Sequence, residues 1–560
     1  MLSETSLRKE NKENRREFGC FLRFFLFSIA VSHPSPGKEV IEVKSFIEKH
    51  SDLISGVLSG FDRLVVHGCL RWLSISIGMM DFLGRMGVLL KDFGDYVERT
   101  SLKLKAASLA EAKALNRPVK YLDSGNTNKE KIAREIMESD KIENGLICVL
   151  TSVEVCRSYE VHRNKKEKKL ELKSRNRKCL HIYHYWKDDE FGFMSARIQT
   201  WFPFRIQVCL NGREWLSRQL DKAGISYVKS DNCFLKISDW TQAQELMQKQ
   251  LTLNWSKSMD KIANRLNPAF NEIFNKYKIS YYWTIYQSEW ATDVMFKSSQ
   301  ALASIYPQLV RGAMSTFSSP DVMRFLGGKI FNGNFKGEVI SSYKKRSEGV
   351  RVKHQVNVNS VKMYDKKGSG LRVETTLNDV RDFKVYKNNG VDSCEGKIQW
   401  RKMNKGISDI YRRTKISQAS NNRYLEALAS LDTDNKLIDL IHPVCQPVKR
   451  NGRRIRGLRP WWDEDRNLLI AIRRGEFCIN GFRNRDILEI LNPGIFSDPK
   501  EKRRTASKIT RKIRMLRAHG IIRKVSKTHK YVFTKKGNKI IAAILGYQEC
   551  TLYNVFKDVA

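Results

Sequence analysis

The residues best suited to chemistry in this sequence lie in a short stretch between residues 360 and 377. Two segments of alternating polar and apolar residues are joined there by a Lys/Gly/Ser turn, which predicts a β-hairpin. Strand alternation then places Tyr364 beside Arg372, and Lys362 beside Glu374, on one face. Cations beside a phenol would bind a phosphate and favour the ionised phenol, and a carboxylate could hold a divalent metal. The pattern therefore indicates phosphodiester attack, but it also fits a surface hairpin with a Lys362–Glu374 pair and a partly buried tyrosine.

The hairpin is similar to a known motif. Tyr364-Asp365-Lys366 followed by Arg372-x-Glu374 resembles the tyrosine motif of plasmid rolling-circle replication initiators and filamentous-phage replication proteins. The resemblance is confined to this hairpin. It implies that Tyr364 is a nicking nucleophile that forms a 5′-phosphotyrosyl link, with Arg372 beside it and Glu374 near a Mg²⁺ or Mn²⁺ ion.

These families often place two metal-binding histidines at alternate positions of a strand. The nearest candidates here, His181 and His184, are three residues apart. A strand would point their side chains to opposite faces, so we do not expect them to form a metal pair.

Two further carboxylates have a spacing that suits a metal. Glu289 and Asp293 are four residues apart in a segment predicted to be helical from about residue 290 to 306. Side chains at that spacing on a helix are neighbours and could share one divalent ion. Carboxylates on a solvated helix surface give the same pattern without any metal.

A cluster of aromatic residues indicates a different type of binding. Trp201, Phe202 and Phe204 lie beside Arg197 and Arg205, a combination that single-strand binders use to stack unpaired bases. Aromatic residues of an α+β region also commonly form its core.

The last hundred residues have the order of elements of a winged helix-turn-helix domain, which they resemble over residues 462 to 548. Helices are predicted over 463–474, 484–491 and 499–519, followed by a hairpin within 521–534 and a helix over 539–545. The resemblance implies nucleic-acid contacts from the third helix and the wing, where the candidate residues are Arg503, Arg504, Lys508, Arg511, Lys512, Lys527 and Lys530. Lys508, Arg511 and Lys512 would lie at the major groove, and Lys527 and Lys530 at the backbone or minor groove. Some winged helices bind proteins instead.

A basic, proline-punctuated segment precedes this domain. Residues 432–461 read as a linker in which Arg453 and Arg454 would lie on phosphates. A linker that is merely solvated has the same composition.

Composition narrows the class of partner. The 560 residues include 101 Lys and Arg against 60 Asp and Glu, a net charge of +41 that favours a polyanionic partner. The eleven cysteines lack zinc-knuckle spacing, and we find no phosphate-binding glycine loop, nucleophile elbow or convincing membrane span. Zinc-dependent, ATP-driven and membrane functions are therefore disfavoured.

These observations predict an α+β multidomain protein: a helical and α/β N-terminal part, an α+β middle with an antiparallel sheet, and a C-terminal winged helix. The expected domains are a poorly ordered extension (1–39), a helical and α/β region that begins with helices (40–160), an α+β central region (161–431), the basic linker (432–461) and the winged helix (462–560).

The chain also looks like a group of uncharacterised prokaryotic proteins of mobile-element type. The first functional hypothesis is therefore a DNA-binding protein of a mobile element or replicon that nicks DNA with Mg²⁺ or Mn²⁺, in the manner of a replication initiator or transposase. It would act in the cytoplasm, associated with the nucleoid. Two alternatives stay open: a winged-helix DNA-binding regulator that needs no cofactor, and an RNA-binding protein.

Overall fold

The architecture was taken from a computed structural model, which describes residues 44–327, 337–346, 349–387, 399–430, 437–450, 452–474, 477, 481–492, 494, 498–526 and 528–548. The chain divides into two compact units. The first contains residues 56–295 and 374–418, and the second contains the described residues of 44–55, 296–373 and 419–548. One of the points where the chain passes between the units lies within the strand Gly370–Leu377, between Val373 and Glu374.

The strands, in chain order, are β1 Ile54–Cys69, β2 Val119–Tyr121, β3 Gly145–Asn164, β4 Lys169–Asp188, β5 Gly192–Gln199, β6 Ile206–Asn211, β7 Tyr227–Ser230, β8 Cys233–Ile237, β9 Tyr282–Phe296, β10 Val339–Arg346, β11 Gly349–Val356, β12 Asn359–Lys366, β13 Gly370–Leu377, β14 Lys384–Lys387, β15 Gln399–Lys402, β16 Val448–Arg450, β17 Arg453–Ile455, β18 Ile522–Lys524 and β19 Tyr531–Phe533. The helices are α1 Lys44–Lys49, α2 Ser76–Arg85, α3 Phe93–Ala114, α4 Lys129–Ser139, α5 Gly212–Ala223, α6 Trp240–Lys249, α7 Trp255–Leu266, α8 Phe270–Ile273, α9 Ser299–Ser315, α10 Ser319–Phe325, α11 Ile410–Ala429, α12 Leu437–Cys445, α13 Asp463–Ile472, α14 Asn484–Leu491, α15 Pro499–Ala518 and α16 Lys535–Gln548.

The first unit is built on a mixed sheet with the strand order β9-β1-β6-β5-β4-β3-β2, and β13, whose residues 374–377 belong to this unit, is the next strand after β9. The β2–β3 pair is parallel, whereas the β1–β6, β3–β4, β4–β5 and β5–β6 pairs are antiparallel. Helices α2, α3 and α5 to α8 contribute to the main core with one face of this sheet, through residues such as Phe82, Leu104 and Trp215. Helix α4 packs on β3 to β5 through a smaller cluster around Ala133, Leu150 and Tyr185.

The second unit contains a smaller antiparallel arrangement with the order β10-β11-β12-β13. Alternation along β11 and β12 buries Val352, His354, Val361 and Met363 on one face. His354 lies within an aromatic cluster that includes Tyr424 of α11, whose hydroxyl is 3.2 Å from His354 Nε2. One face of these strands is therefore a core face.

The C-terminal part of the second unit has its own apolar core. Helices α13, α14, α15 and α16 bury Leu468, Ile487, Ile513 and Ile541 in it. Helix α12, which lies in the segment predicted to be a linker, buries Ile441 in the same core. The predicted order of three helices, a hairpin and a helix is therefore present, and the preceding basic segment folds onto this core.

Several predicted elements have a different structure. The predicted helical opening contains the sixteen-residue strand β1. The charged composition of residues 163–178 predicts a loop, whereas most of these residues belong to the long β3–β4 ribbon. The helix predicted to begin at Trp290 is wrong, because β9 continues to Phe296 and the helix begins at Ser299. Among the helices of the described ranges, none combines the length and hydropathy needed to cross a bilayer.

Candidate metal centre and nucleic-acid surfaces

Three carboxylates of the first unit meet on neighbouring strands. Asp62 lies in β1, Glu289 in β9 and Glu374 in the second half of β13, and the strand order places β9 between the other two. Neighbouring strands are about 4.8 Å apart, so side chains at the same level on three strands come together. Each residue offers one carboxylate oxygen, and these oxygens lie within 4.8 Å of one another.

The geometry of this carboxylate triad, Asp62, Glu289 and Glu374, fits a hard divalent cation. Mg²⁺ and Ca²⁺ bind oxygen ligands at about 2.0 to 2.6 Å, so ligands on opposite sides of the ion are about 4 to 5 Å apart. Asp62 and Glu374 are buried and Glu289 is partly exposed, which leaves one side of the group accessible to solvent. In the part of the chain that the structure describes, this is the one group of three His, Cys, Asp or Glu side chains with such spacing.

Two of the triad residues are oriented by neighbouring polar groups. Asn232, in the turn between β7 and β8, donates a hydrogen bond from Nδ2 to Asp62 Oδ1 at 2.8 Å. The Thr376 hydroxyl donates to Glu374 Oε1 at 3.4 Å. Hydrogen bonds of this type orient carboxylate ligands and are a regular part of metal sites in proteins.

Asp293, the second carboxylate of the predicted metal pair, has a different role. Because Glu289 and Asp293 lie in a strand, their four-residue spacing separates them by roughly 13 Å along the chain. Arg213 Nη2 donates to Asp293 Oδ2 at 2.8 Å, and both side chains are almost completely buried. The predicted helical Glu289–Asp293 pair is therefore wrong in its geometry, although Glu289 belongs to the triad.

The predicted tyrosine hairpin is present as β12 and β13, joined at residues 367–369. Tyr364 is half-buried near the end of β12, and the Arg372 side chain is fully buried in β13. The Tyr306 hydroxyl accepts a hydrogen bond from the Asp365 backbone N–H at 3.1 Å, and the Asp365 carboxylate accepts one from Gly368 N–H at 2.9 Å. These contacts of the second unit fix the backbone directly after Tyr364.

The face of the second unit's strands opposite the core carries a concentration of positive charge. Lys344 of β10 lies directly opposite Arg351 of β11, and Lys353 lies opposite Lys362 of β12. Tyr364 follows Lys362 by two residues and therefore shares its face. We call Lys344, Arg351, Lys353 and Lys362 the cationic face.

Burial and like charges together affect the titration of Lys353 in the cationic face. Burial lowers the pKa of Lys353, and the charges of Lys362, Arg351 and Lys344 lower it further. Like charges directly opposite each other destabilise a pair of strands. Within the described residues, Lys344, Arg351 and Lys353 form no ion pair with a carboxylate. A phosphate at this surface would relieve the repulsion.

The two histidines that sequence spacing excluded as a metal pair are separate in the structure. His181 Nδ1 lies 3.3 Å from the Cys179 carbonyl oxygen, whereas His184 Nε2 lies 2.9 Å from the Ser108 carbonyl oxygen. Burial lowers the pKa of each to about 4. Both act as buried polar residues of the sheet.

A second cationic surface lies on α15. Asp498 caps this helix by accepting from Lys500 N–H at 2.9 Å, and Ile509, Ile513 and Leu516 face the core. On the solvent side, four of the predicted nucleic-acid-binding residues line one open pocket of about 420 Å³ together with Ser507; they are Arg503, Arg504, Lys508 and Arg511. The convergence of four cations on one concavity matches the geometry needed to bind phosphates.

The remaining predicted contacts of this region differ in their positions. Lys512 Nζ donates to the Glu464 carbonyl oxygen at 3.1 Å, which turns this side chain towards α13. Lys530 is half-buried beside the β18–β19 hairpin, and Lys527 lies outside the described residues. The pocket on α15 therefore contains fewer of the basic residues than the nucleic-acid-binding surface predicted from sequence.

Arg453 and Arg454 lie in a hairpin rather than in an extended linker. The antiparallel pair β16–β17 places Arg450 opposite Arg453 and Lys449 opposite Arg454, and the two predicted arginines are exposed. Arg450 Nη1 donates to the carbonyl oxygen of Arg517, at the end of α15, at 2.6 Å. This second set of facing cations is therefore attached to the helix that carries the pocket.

The aromatic cluster predicted to stack bases is mostly core. Phe202 and Phe204 are completely buried, with ring centroids 4.3 Å apart, and Trp201 is half-buried. Arg197 donates to Glu154 at 2.9 Å instead of lining a binding surface. The stacking interpretation is wrong for Phe202 and Phe204, because α2 and neighbouring elements cover these two rings.

Sequence patterns identified Glu289 and Glu374 separately, but they missed Asp62 and three members of the cationic face, Lys344, Arg351 and Lys353. Asp62 follows Phe61 in an apolar run. A single carboxylate in such a run is unusual and could have identified Asp62 as a candidate site residue. The three cations could not be grouped from the sequence, because no local sequence pattern specifies the pairing of β10 with β11. Comparison of the chain with protein-family models, with curated proteins and with solved structures gives no match, so the functional argument depends on these sites.

Proposed function

We propose that this protein is a metal-dependent nuclease of a mobile element or replicon that nicks DNA, acting on DNA of the nucleoid. The carboxylate triad carries the proposal, because three distant segments of the chain bring oxygen ligands within 4.8 Å of one another. Mg²⁺ or Mn²⁺ held by Asp62, Glu289 and Glu374 would supply positive charge to a phosphodiester. The net charge of +41 supports a polyanionic substrate.

Tyr364 is the nucleophile that we propose, on the sequence resemblance and on its position in the cationic face. Its phenolic oxygen would attack phosphorus, the bond from phosphorus to the 3′ oxygen would break, and the departing 3′ oxygen would take up a proton. The product would be a 5′-phosphotyrosyl adduct and a free 3′ hydroxyl. Lys344, Arg351, Lys353 and Lys362 would bind the phosphates of the same strand.

The pocket on α15 favours duplex binding by a winged-helix domain. Arg503, Arg504, Lys508 and Arg511 would bind the phosphate backbone and position the protein without selecting a sequence. The same surface also supports the second candidate function, a regulator that binds DNA without cutting it, and it fits RNA equally well. Cleavage, and not binding, therefore distinguishes the proposals.

The test is incubation of the purified chain with supercoiled plasmid and labelled single-stranded DNA, in Mg²⁺, Mn²⁺ or EDTA. We expect nicks in either metal and none in EDTA. Asp62→Asn, Glu289→Gln and Glu374→Gln should each lower the nicking rate by more than about 100-fold, since loss of an outer-shell partner alone costs about 10- to 100-fold. Glu245→Gln, which changes an exposed carboxylate of α6, is the matched control.

Asn232→Ala tests the partner of Asp62. It should lower metal affinity about 10- to 100-fold, measured by Mn²⁺ titration, without loss of folding. Tyr364→Phe should abolish a protein–DNA adduct that survives denaturation, whereas Tyr343→Phe, an exposed tyrosine of β10, should keep it. Salt-sensitive binding with no nicks in any metal would reject the nuclease and leave the regulator or the RNA-binding protein.

A further inference from the structure

A row of polar side chains, separate from the carboxylate triad, crosses the first unit's sheet on the face that carries α4. Tyr183 lies opposite Arg197, Arg197 opposite Gln207, and Gln207 opposite His67. The side chains are hydrogen-bonded along this row: Arg197 Nη1 to the Tyr183 hydroxyl at 2.9 Å, Arg197 Nη2 to Gln207 Oε1 at 3.1 Å, and His67 Nε2 to the same oxygen at 3.1 Å. These bonds show that the row shares one face and fix its side chains.

The end of the row at β1 and β9 carries exposed aromatic rings. Tyr286 stacks on His67 with ring centroids 4.4 Å apart and an interplanar angle of 14°, yet 56% of Tyr286 is exposed. Tyr282, four residues earlier on β9, is 39% exposed. The spacing of the two tyrosines corresponds to roughly 13 Å along one face of the strand.

Cations surround these rings. The Arg71 guanidinium lies 4.5 Å above the centroid of Tyr282. Arg205 lies two residues before Gln207. Burial lowers the pKa of His67, and the charges of Arg197 and Arg205 lower it further. Arg63 lies four residues before His67 on β1 and is exposed. Arg63, Arg71 and Arg205 form no ion pair with any carboxylate among the described residues.

The nearest carboxylate of the row does not cancel this charge. Glu154 accepts hydrogen bonds from the Tyr183 hydroxyl at 2.7 Å and from Arg197 at 2.9 Å, and its second cation is Lys129 at 3.1 Å. Two cations therefore already offset the charge of Glu154. The three exposed arginines give this end of the face an excess of positive charge.

We infer that Arg63, His67, Arg71, Arg205, Tyr282 and Tyr286 form a platform that binds single-stranded DNA, with bases stacked on the tyrosines and phosphates on the arginines. Exposed aromatic rings interleaved with cations on a sheet are the arrangement that sequence-tolerant single-strand binders use. Stacked bases of a duplex present no free faces to such rings. The choice of DNA over RNA rests on the proposed function, because the strand that is cut at a nick becomes single-stranded DNA once the duplex is unwound.

The test is fluorescence anisotropy of the full chain with labelled oligothymidine of about 16 nucleotides. EDTA prevents cleavage, and excess unlabelled duplex occupies the surface of α15. Tyr286→Ala should weaken binding roughly 5- to 150-fold, since each stacked base contributes strongly to affinity. Tyr286→Phe should retain affinity because it keeps the ring. Tyr121→Ala, a tyrosine of β2 that is 59% exposed, is the matched control.

Arg205→Ala gives an independent measurement. It should reduce the slope of log affinity against log salt by about 0.7, the value for one phosphate contact on a single strand. Tyr286→Ala and Arg205→Ala variants that both bind within twofold of Tyr121→Ala would overturn the platform. Equal weakening of single-stranded and duplex binding by Tyr286→Ala, or a preference for oligouridine over oligothymidine, would also overturn it.

The triad and the platform can fail separately. The anisotropy measurement is made in EDTA and repeated with Glu289→Gln, so it requires neither metal nor cleavage. A chain that never nicks DNA but loses oligothymidine affinity in Tyr286→Ala would reject the nuclease and keep the platform. A chain that nicks DNA but binds oligothymidine equally well in the Tyr286→Ala and Tyr121→Ala variants would keep the nuclease and reject the platform.

Discussion

Replacing Asp293 tests whether this carboxylate is a structural partner of Arg213 or a metal ligand. Arg213 is completely buried, and Asp293 is its ion-pair partner at 2.8 Å. In Asp293→Ala the guanidinium would remain buried without its counter-charge, which costs about 3 to 5 kcal/mol in comparable sites. At about 2 to 4 °C per kcal/mol for a domain of roughly this size, the midpoint of thermal unfolding should fall by roughly 6 to 20 °C.

The assay is urea and thermal unfolding followed by circular dichroism, with Mn²⁺ affinity measured on each folded variant. The double variant Arg213→Met/Asp293→Leu should unfold close to the parent, because replacing both charges removes the uncompensated ion. Glu135→Ala, from an exposed pair with Lys131 at 3.8 Å, should show no resolvable loss. An Asp293→Ala variant within about 1 kcal/mol of the parent, or one that loses Mn²⁺ affinity as Glu289→Gln does, would refute the reasoning.

Two further predictions concern stability. Burial lowers the pKa of His354 from 6.5 to about 4; the unfolded chain therefore takes up the proton first on acidification, and the free energy of unfolding should fall by about 3 kcal/mol between pH 6.5 and pH 4. His354→Gln should flatten that dependence in pH-dependent urea melts, and an unchanged slope would contradict the assignment. Phe202→Ala should destabilise the fold by about 3 to 5 kcal/mol, because it removes a completely buried ring. If this variant instead unfolds like the parent and binds oligothymidine more weakly, the stacking interpretation of Phe202 would be restored.

The elements predicted well from sequence carry their own start and stop signals. The sequence predicts a helix over residues 129–139, and α4 occupies these residues, with Asn128 accepting a hydrogen bond from Lys131 N–H at its start. Helix α7 likewise begins after Asn254, which caps Lys257 N–H. The sequence predicts a helix over 213–222 that a glycine terminates, and α5 ends at Ala223, directly before Gly224, whose φ of 68° is the left-handed conformation that glycine adopts without strain. Such signals are local, so they can be identified in the sequence without knowledge of the tertiary fold.

The strands β1 and β9 were predicted as helix for a physical reason. Most residues of β1 are buried on both faces, so the strand lacks the alternation that identifies a half-exposed strand. Its apolar residues then match helical spacing by chance. Strand β9 has the same problem from Ser288 onward, where eight of the nine residues up to Phe296 are buried and Glu289 is the exception.

The triad lay beyond sequence reasoning because its pairing is non-local. Glu289 was considered with Asp293, its neighbour in sequence, and Glu374 was considered through the tyrosine motif. Their approach to Asp62 depends on the strand order, which places β9 between β1 and β13. No local pattern specifies that order.

The strand order also determines when a growing chain could acquire the triad. Asp62 and Glu374 are 312 residues apart in sequence (374 minus 62), and synthesis at about 5 to 20 residues per second separates them by roughly 15 to 60 s. For most of that interval β1 lacks β9, the neighbour that supplies Glu289, because β9 ends at Phe296. Any fragment that stops before β13 lacks the third carboxylate, so the complete set of ligands arises only in a chain that already contains β1, β9 and β13.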